Sequence, residues 1–112
     1  MNFELTTDQK EIRDLAMKFA VNEMMPKAGH YDEEAKFPME ILQKAWELGL
    51  VNTCIPTEYG GNGFTALDSM LITEALAYGC MGMNTAIMAN DLALLPIVIG
   101  GNHEQKLKFL KP

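Results

Sequence analysis

Several residues in the sequence invite a chemical reading. Glu74, in "SMLITEALAYG", stands at helical spacing from Leu67, Met70, Leu71 and Tyr78, which sets a carboxylate among apolar neighbours. A partly buried carboxylate must be paired, hydrogen-bonded or neutralised, and a raised pKa would suit proton transfer. The plainer expectation is a structural hydrogen bond to a neighbouring helix end. The glycines of "YGGNGF" would let backbone amides approach an anion. Neither a Gly-Lys-Ser/Thr ending nor a strand–turn–helix setting accompanies them, so a left-handed turn is expected there. His30 and His103 have no carboxylate or second imidazole at ligand spacing and are expected in solvent. Cys54 and Cys80 form no CxxC or Cys/His pattern, and no serine sits in a nucleophile elbow. These residues alone define no catalyst and no metal site.

A second group lies in "MNTAIMANDLALLPIVIGG", Met83 to Gly101. Asn84, Met88 and Leu92 follow one another at four-residue steps and face one way on a helix, with Asp91 and Leu95 beside them. Ala86, Ala89 and Ala93 form a second, small-residue face suited to close packing. The larger, mixed-polarity face has the character of a cavity wall for a flexible apolar ligand, although spacing alone favours ordinary core packing. A membrane span needs about 20 apolar residues, with roughly 3 kcal/mol lost for each central charge. Asn84, Asn90, Asp91 and Pro96 interrupt this run, so a buried helix is the expectation.

The elements that would position these residues are helical. Thr6 with Gln9 forms a capping box ahead of a stripe of Ile12, Leu15, Ala16, Phe19 and Ala20. Pro26 should kink or end that helix, with room for a turn or two in "KAGHYDEEA". "FPMEILQKAWELG" starts with Pro38 in its first turn and stops at Gly49. "LVNTCIPTEYGGNGF" is a connection in which "VNTCI" has the makings of a short extended piece. Thr65 with Asp68 opens the helix that carries Glu74, and Gly79 closes it. The Met83–Gly101 segment follows, and Asn102 with Gln105 caps a last helix ending at Pro112. An all-α bundle of about five helices is the predicted fold.

At 112 residues with 48% hydrophobic content, residues 1–112 fit a single helical domain. A net charge of -6 leaves no basic stripe for nucleic acid, and it disfavours an anionic membrane surface. The cysteine pattern fits a reducing compartment, and "MNFELTTDQKEIRD" has neither the apolar core of a secretory signal nor the composition of a transit peptide.

Three stretches, "KAWELGLVNTCIPTEYGGNGF", "ITEALAYGCMGMNTAI" and "LPIVIGGNHEQKLKFL", agree in order and spacing with the N-terminal helical domain of acyl-CoA dehydrogenases. The sequence resembles the medium-chain enzymes most, from about Phe3 to Pro112. The resemblance implies a parent flavoenzyme that uses FAD to oxidise a fatty acyl-CoA to the trans-2-enoyl-CoA in β-oxidation. It implies electron-transfer flavoprotein as the acceptor and a homotetramer as the assembly. A mitochondrial matrix is implied for a eukaryotic source, the cytoplasm for a bacterial one.

Family members add a middle β domain and a C-terminal helical domain, both expected to be absent here together with the catalytic glutamate and most of the flavin site. No catalytic or cofactor-binding residue is therefore expected in this chain, and the chain alone should be inactive. The family's acyl pocket maps onto Asn84, Thr85, Met88 and Leu92. In the mammalian medium-chain pattern a glutamine stands at the position of Asn84 and a glutamate at that of Met88, which leaves acyl length open. The alanine face should then pack inside and the Asn84–Met88–Leu92 face should look toward substrate. The rival reading is a non-catalytic helical interaction module or acyl-binding module.

Overall fold

The computed structural model describes residues 3–111, and the final Pro112 named above lies outside them. Helix α1 (Thr7–Phe19) starts at the expected box, with Thr6 accepting from the Gln9 amide and the Gln9 side chain accepting from the Thr6 amide. Pro26 does not end the helical rod, and the further turns allowed for in "KAGHYDEEA" form beyond it. A proline deletes an amide and crowds the preceding turn. Here the chain widens to a π turn over Ala20–Met24, where the Met25 amide reaches back to the Ala20 carbonyl. The rod then continues as α2 (Met25–Glu33).

Pro38 caps α3 (Met39–Glu47) from one position outside the helix, and Gly49 takes the left-handed conformation at its end (φ 73°). "VNTCI" forms bends and turns instead of an extended piece, and a single 3-10 turn at Thr57–Tyr59 follows. Helix α4 (Ala66–Gly79) opens on the Thr65–Asp68 box, and α5 (Met81–Gly100) begins after Cys80 alone. Helix α6 (His103–Phe109) is capped by Asn102 and Gln105. With α1, the π turn and α2 counted as one rod, the described residues form five helical rods and no strand, an all-α domain.

The core joins Ala16, Phe19, Ala20 and Met24 to Ile41 and Ala45 of α3, Ile72, Ala75 and Leu76 of α4, and Met83 and Ile87 of α5. Gly79 allows α4 to close on the first rod, because a Cβ there would stand 2.8 Å from the Ala20 Cβ. A smaller cluster of Ile55, Tyr59 and Leu110, backed by Leu94, Ile97 and Val98, ties α5 and the chain end to the connection.

Three sequence expectations change. Ala89 and Ala93 are exposed and Ala86 is half-buried, so the alanine face does not pack inside. Helix α5 instead buries Met83, Asn84 and Ile87, whose larger side chains fill the space against α4 and α3. Nor is α5 a buried helix: it is long and apolar enough by length and composition to cross a membrane, yet only 17% of that window is buried. It lies at the edge of a thin domain, with one side free. Glu74 is exposed, because α4 packs through Leu71, Ile72, Ala75 and Leu76 and turns Leu67, Met70, Glu74 and Tyr78 outward.

Candidate functional site: an apolar cleft between α4 and α5

Helices α4 and α5, joined by Cys80 alone, double back on each other and run antiparallel. Thr73 faces Met88 nearest the junction, and Ala66 lies toward Leu95 at the far end. Between them is a cleft of about 680 Å³, lined by apolar side chains that include Met70, Met88, Leu92 and Leu95, with Phe64 and Cys54 from the connection.

Of the four residues singled out from the sequence, Met88 and Leu92 line this cleft. Asn84 lies one helical turn closer to the junction, 5% exposed, and its Oδ1 has no hydrogen-bond partner. Its Nδ2 has only a weak contact, 4.0 Å from the Met81 sulfur. Thr85 is on an exposed face, its hydroxyl donating to the Met81 carbonyl at 3.0 Å.

Asp91, noted only as a neighbour in the sequence, fixes the cleft's wall. Its Oδ2 accepts from the Thr53 amide at 3.1 Å and the Thr53 hydroxyl at 2.8 Å, and its Oδ1 from the Cys54 amide at 3.3 Å. With three donors in place, the carboxylate anchors the 53–54 turn to the middle of α5. Asn90 and Asn52 add a side-chain hydrogen bond alongside. Sequence spacing gave no sign of this clamp, because its partners are nearly forty positions apart. Burial, then the hydrogen bond to Asp91 and last its charge, push the Cys54 thiol up to about 11, which keeps it protonated and unreactive at neutral pH.

The glycine loop does not cradle an anion. The Gly60, Gly61 and Gly63 amides donate to the carbonyls of Thr57, Pro56 and Ile55, so they are spent inside the turn. Gly60 and Gly63 hold the positive φ values that the expected left-handed turn requires. His30 is exposed, 3.5 Å from Glu34, and His103 is exposed with its Nδ1 3.2 Å from the Tyr59 hydroxyl. Among the described residues no group of three or more His, Cys, Asp or Glu is arranged to hold a metal.

An all-α domain with an apolar cleft between two antiparallel helices is a class of ligand-binding scaffold, and comparison with known proteins makes it specific. Residues 6–112 match the family model described as "Acyl-CoA dehydrogenase, N-terminal domain", and the chain belongs to that family. It is 47% identical over 110 residues to a Caenorhabditis briggsae protein named "Probable medium-chain specific acyl-CoA dehydrogenase 2, mitochondrial", covering 98% of this chain and 27% of the relative. It is 32% identical over 108 residues to bovine mitochondrial isobutyryl-CoA dehydrogenase, covering 96% and 26%.

Among solved structures, butyryl-CoA dehydrogenase from Megasphaera elsdenii superposes with a TM-score of 0.85 at 30% identity, covering all of this chain and 30% of that one. A chain in the structure described as the electron transferring flavoprotein of Acidaminococcus fermentans superposes with a TM-score of 0.91 at 35% identity, with the same coverage. The chain thus spans under a third of the length of these relatives.

Proposed function

We propose that this chain is the N-terminal helical domain of an FAD-dependent acyl-CoA dehydrogenase and supplies one wall of the site for the acyl tail. The observation that carries the reading is the apolar α4–α5 cleft, set in a chain of this family. A saturated tail has no polar handle, so its affinity must come from leaving water, at about 0.8 kcal/mol per buried methylene. Met88, Leu92 and Leu95 offer apolar surface for that purpose, and Asn84 and Thr85 flank it. The enzyme removes hydrogen across the α,β bond of a fatty acyl-CoA in β-oxidation and passes electrons to electron-transfer flavoprotein. It works as a homotetramer, in the mitochondrial matrix of a eukaryote or the cytoplasm of a bacterium.

The residues of this chain do not by themselves suit a flavin. The glycine amides are engaged within their turn, and among the described residues the ionisable groups lining the cleft are Asp91 and the protonated Cys54. FAD and the proton-abstracting base therefore belong to other parts of the enzyme, and the isolated chain is inactive and holds flavin weakly or not at all. Stoichiometric flavin in the purified domain, or its reduction of an artificial acceptor, would overturn this.

The acyl-wall reading is tested in the complete enzyme by Met88→Trp, which should shorten the preferred acyl chain. An unchanged chain-length profile refutes it. The exposed apolar faces of α4 and α5 favour a second reading, a non-catalytic module that binds acyl groups or partner proteins through those faces. Tight acyl-CoA binding by the isolated chain would support it.

A further inference from the structure

The glycine turn that cradles no anion holds the only Asn–Gly pair in the sequence, Asn62–Gly63. An asparagine followed by glycine is open to attack on its own side chain, because no Cβ on the second residue shields the main-chain nitrogen. Asn62 is exposed, yet the fold engages both reacting groups. Its Nδ2 donates to the Gly49 carbonyl at 2.9 Å, which tethers the side chain to the end of α3. The Gly63 nitrogen, the atom that would attack, donates its hydrogen to the Ile55 carbonyl at 3.0 Å. The residues on either side leave the turn little slack. A Cβ on Gly61 would fall 2.0 Å from the Ile55 carbonyl oxygen, and Gly63 sits at a φ of 64°.

We propose that Asn62 is a self-modification site: the folded turn guards its side-chain amide, and each opening of the turn exposes the amide to an irreversible loss of ammonia. The Gly63 nitrogen attacks Asn62 Cγ and gives up its proton, the Cγ–Nδ2 bond breaks, and the departing nitrogen leaves as ammonia with that proton while the ring closes to a succinimide. Water then opens the ring at either carbonyl, leaving aspartate or isoaspartate. Both products lack the Nδ2 hydrogen that bound Gly49, and a carboxylate oxygen then faces a carbonyl oxygen with no donor between them. Isoaspartate also adds a carbon to the main chain next to Gly61, where the contact with Ile55 admits no extra length. The modified turn therefore does not return to its original seat on α3. Asn62, Gly49 and Gly61 share a hollow of about 280 Å³ with Trp46, so the change reaches the indole.

The full chain is incubated at mildly alkaline pH with and without urea, and residue 62 is followed by peptide mass mapping and by isoaspartate-specific methylation. In urea Asn62 should convert ahead of every other asparagine. In the folded chain it should convert at least about tenfold more slowly, a margin set by the free energy of opening the turn. Trp46 is the only tryptophan, so its emission in the folded chain should shift in step with the conversion. Asn62→Asp should show the shifted emission from the outset, and Asn62→Gln, whose longer side chain closes its ring slowly, should stay unmodified at this position. If Asn62→Asp fails to fold, the time course of the parent chain carries the test by itself. No measurable conversion at residue 62 in the folded chain, equal rates in the folded and unfolded chains, or a conversion that leaves Trp46 emission unmoved overturns the assignment.

Discussion

Both sides of α4 carry large apolar side chains, and these meet opposite fates. Inward, Leu71, Ile72, Ala75 and Leu76 are all at most 9% exposed, sealed by α1, the π turn and α5. Outward, Leu67, Met70 and Tyr78 are 51%, 64% and 65% exposed. Helix α5 repeats the pattern, with Met83 and Ile87 buried and Leu92 and Ile99 open. Large exposed apolar side chains gathered on two neighbouring helices mark a binding or docking face. Apolar composition therefore reports two different jobs here, holding the domain together and meeting something outside it, and only packing tells them apart.

The largest expected effect tests the inner side. Ile72→Ala removes a fully buried side chain and should destabilise the domain by about 2–5 kcal/mol in urea unfolding. A cost below about 1 kcal/mol would mean that the inner face is not sealed. Next comes the clamp between the regions. Asp91→Ala strands the donors of Thr53 and Cys54, and should cost about 1–3 kcal/mol and loosen the 53–54 turn in hydrogen exchange.

A pH measurement follows. The Cys54 thiol is held protonated to about 11 in the fold against an ordinary 9.0, so its contribution to stability is complete below pH 9 and is lost as pH rises toward 11. Cys54 should accordingly resist alkylation at pH 9 in the folded chain and react on unfolding. Equal rates in the two states would contradict its burial. The smallest effect belongs to the outer side: Met70→Ala should change the stability of the isolated domain by no more than about 0.5 kcal/mol. A loss comparable to that of Ile72→Ala would abolish the distinction between the two faces.

Much of this architecture was legible because helix ends announce themselves locally. All three capping boxes, at Thr6, Thr65 and Asn102, form as their spacing required, and Gly49, Gly60 and Gly63 adopt the left-handed backbone of a turn. At Pro26, where the sequence allowed either a kink or an end, the rod widens by one turn and carries on. Local chemistry misled on α5 and on Glu74. When most positions around a helix are apolar, periodicity carries no direction, and volume decides: Met83 and Ile87 fill a core that Ala89 and Ala93 cannot. The Asp91 clamp and the orphaned Asn84 oxygen were beyond sequence reading, since both depend on residues distant in the chain or on the want of a partner.

Cys80 gives the cleft a mechanical character. It ends α4 and begins α5, and its extended backbone (φ -167°) is the whole connection. Two rigid arms on one pivot behave as a pair of compasses. Helix α4 has 14 residues, so it is a lever of about 21 Å, and a tilt of roughly 5° would carry its far tip, which the Gln9–Asp68 hydrogen bond ties to α1, about 2 Å. The spread between the tips would then be governed by two torsion angles at the pivot, by the seat of α4 on α1, and by the Asp91 stay partway along the opposite arm.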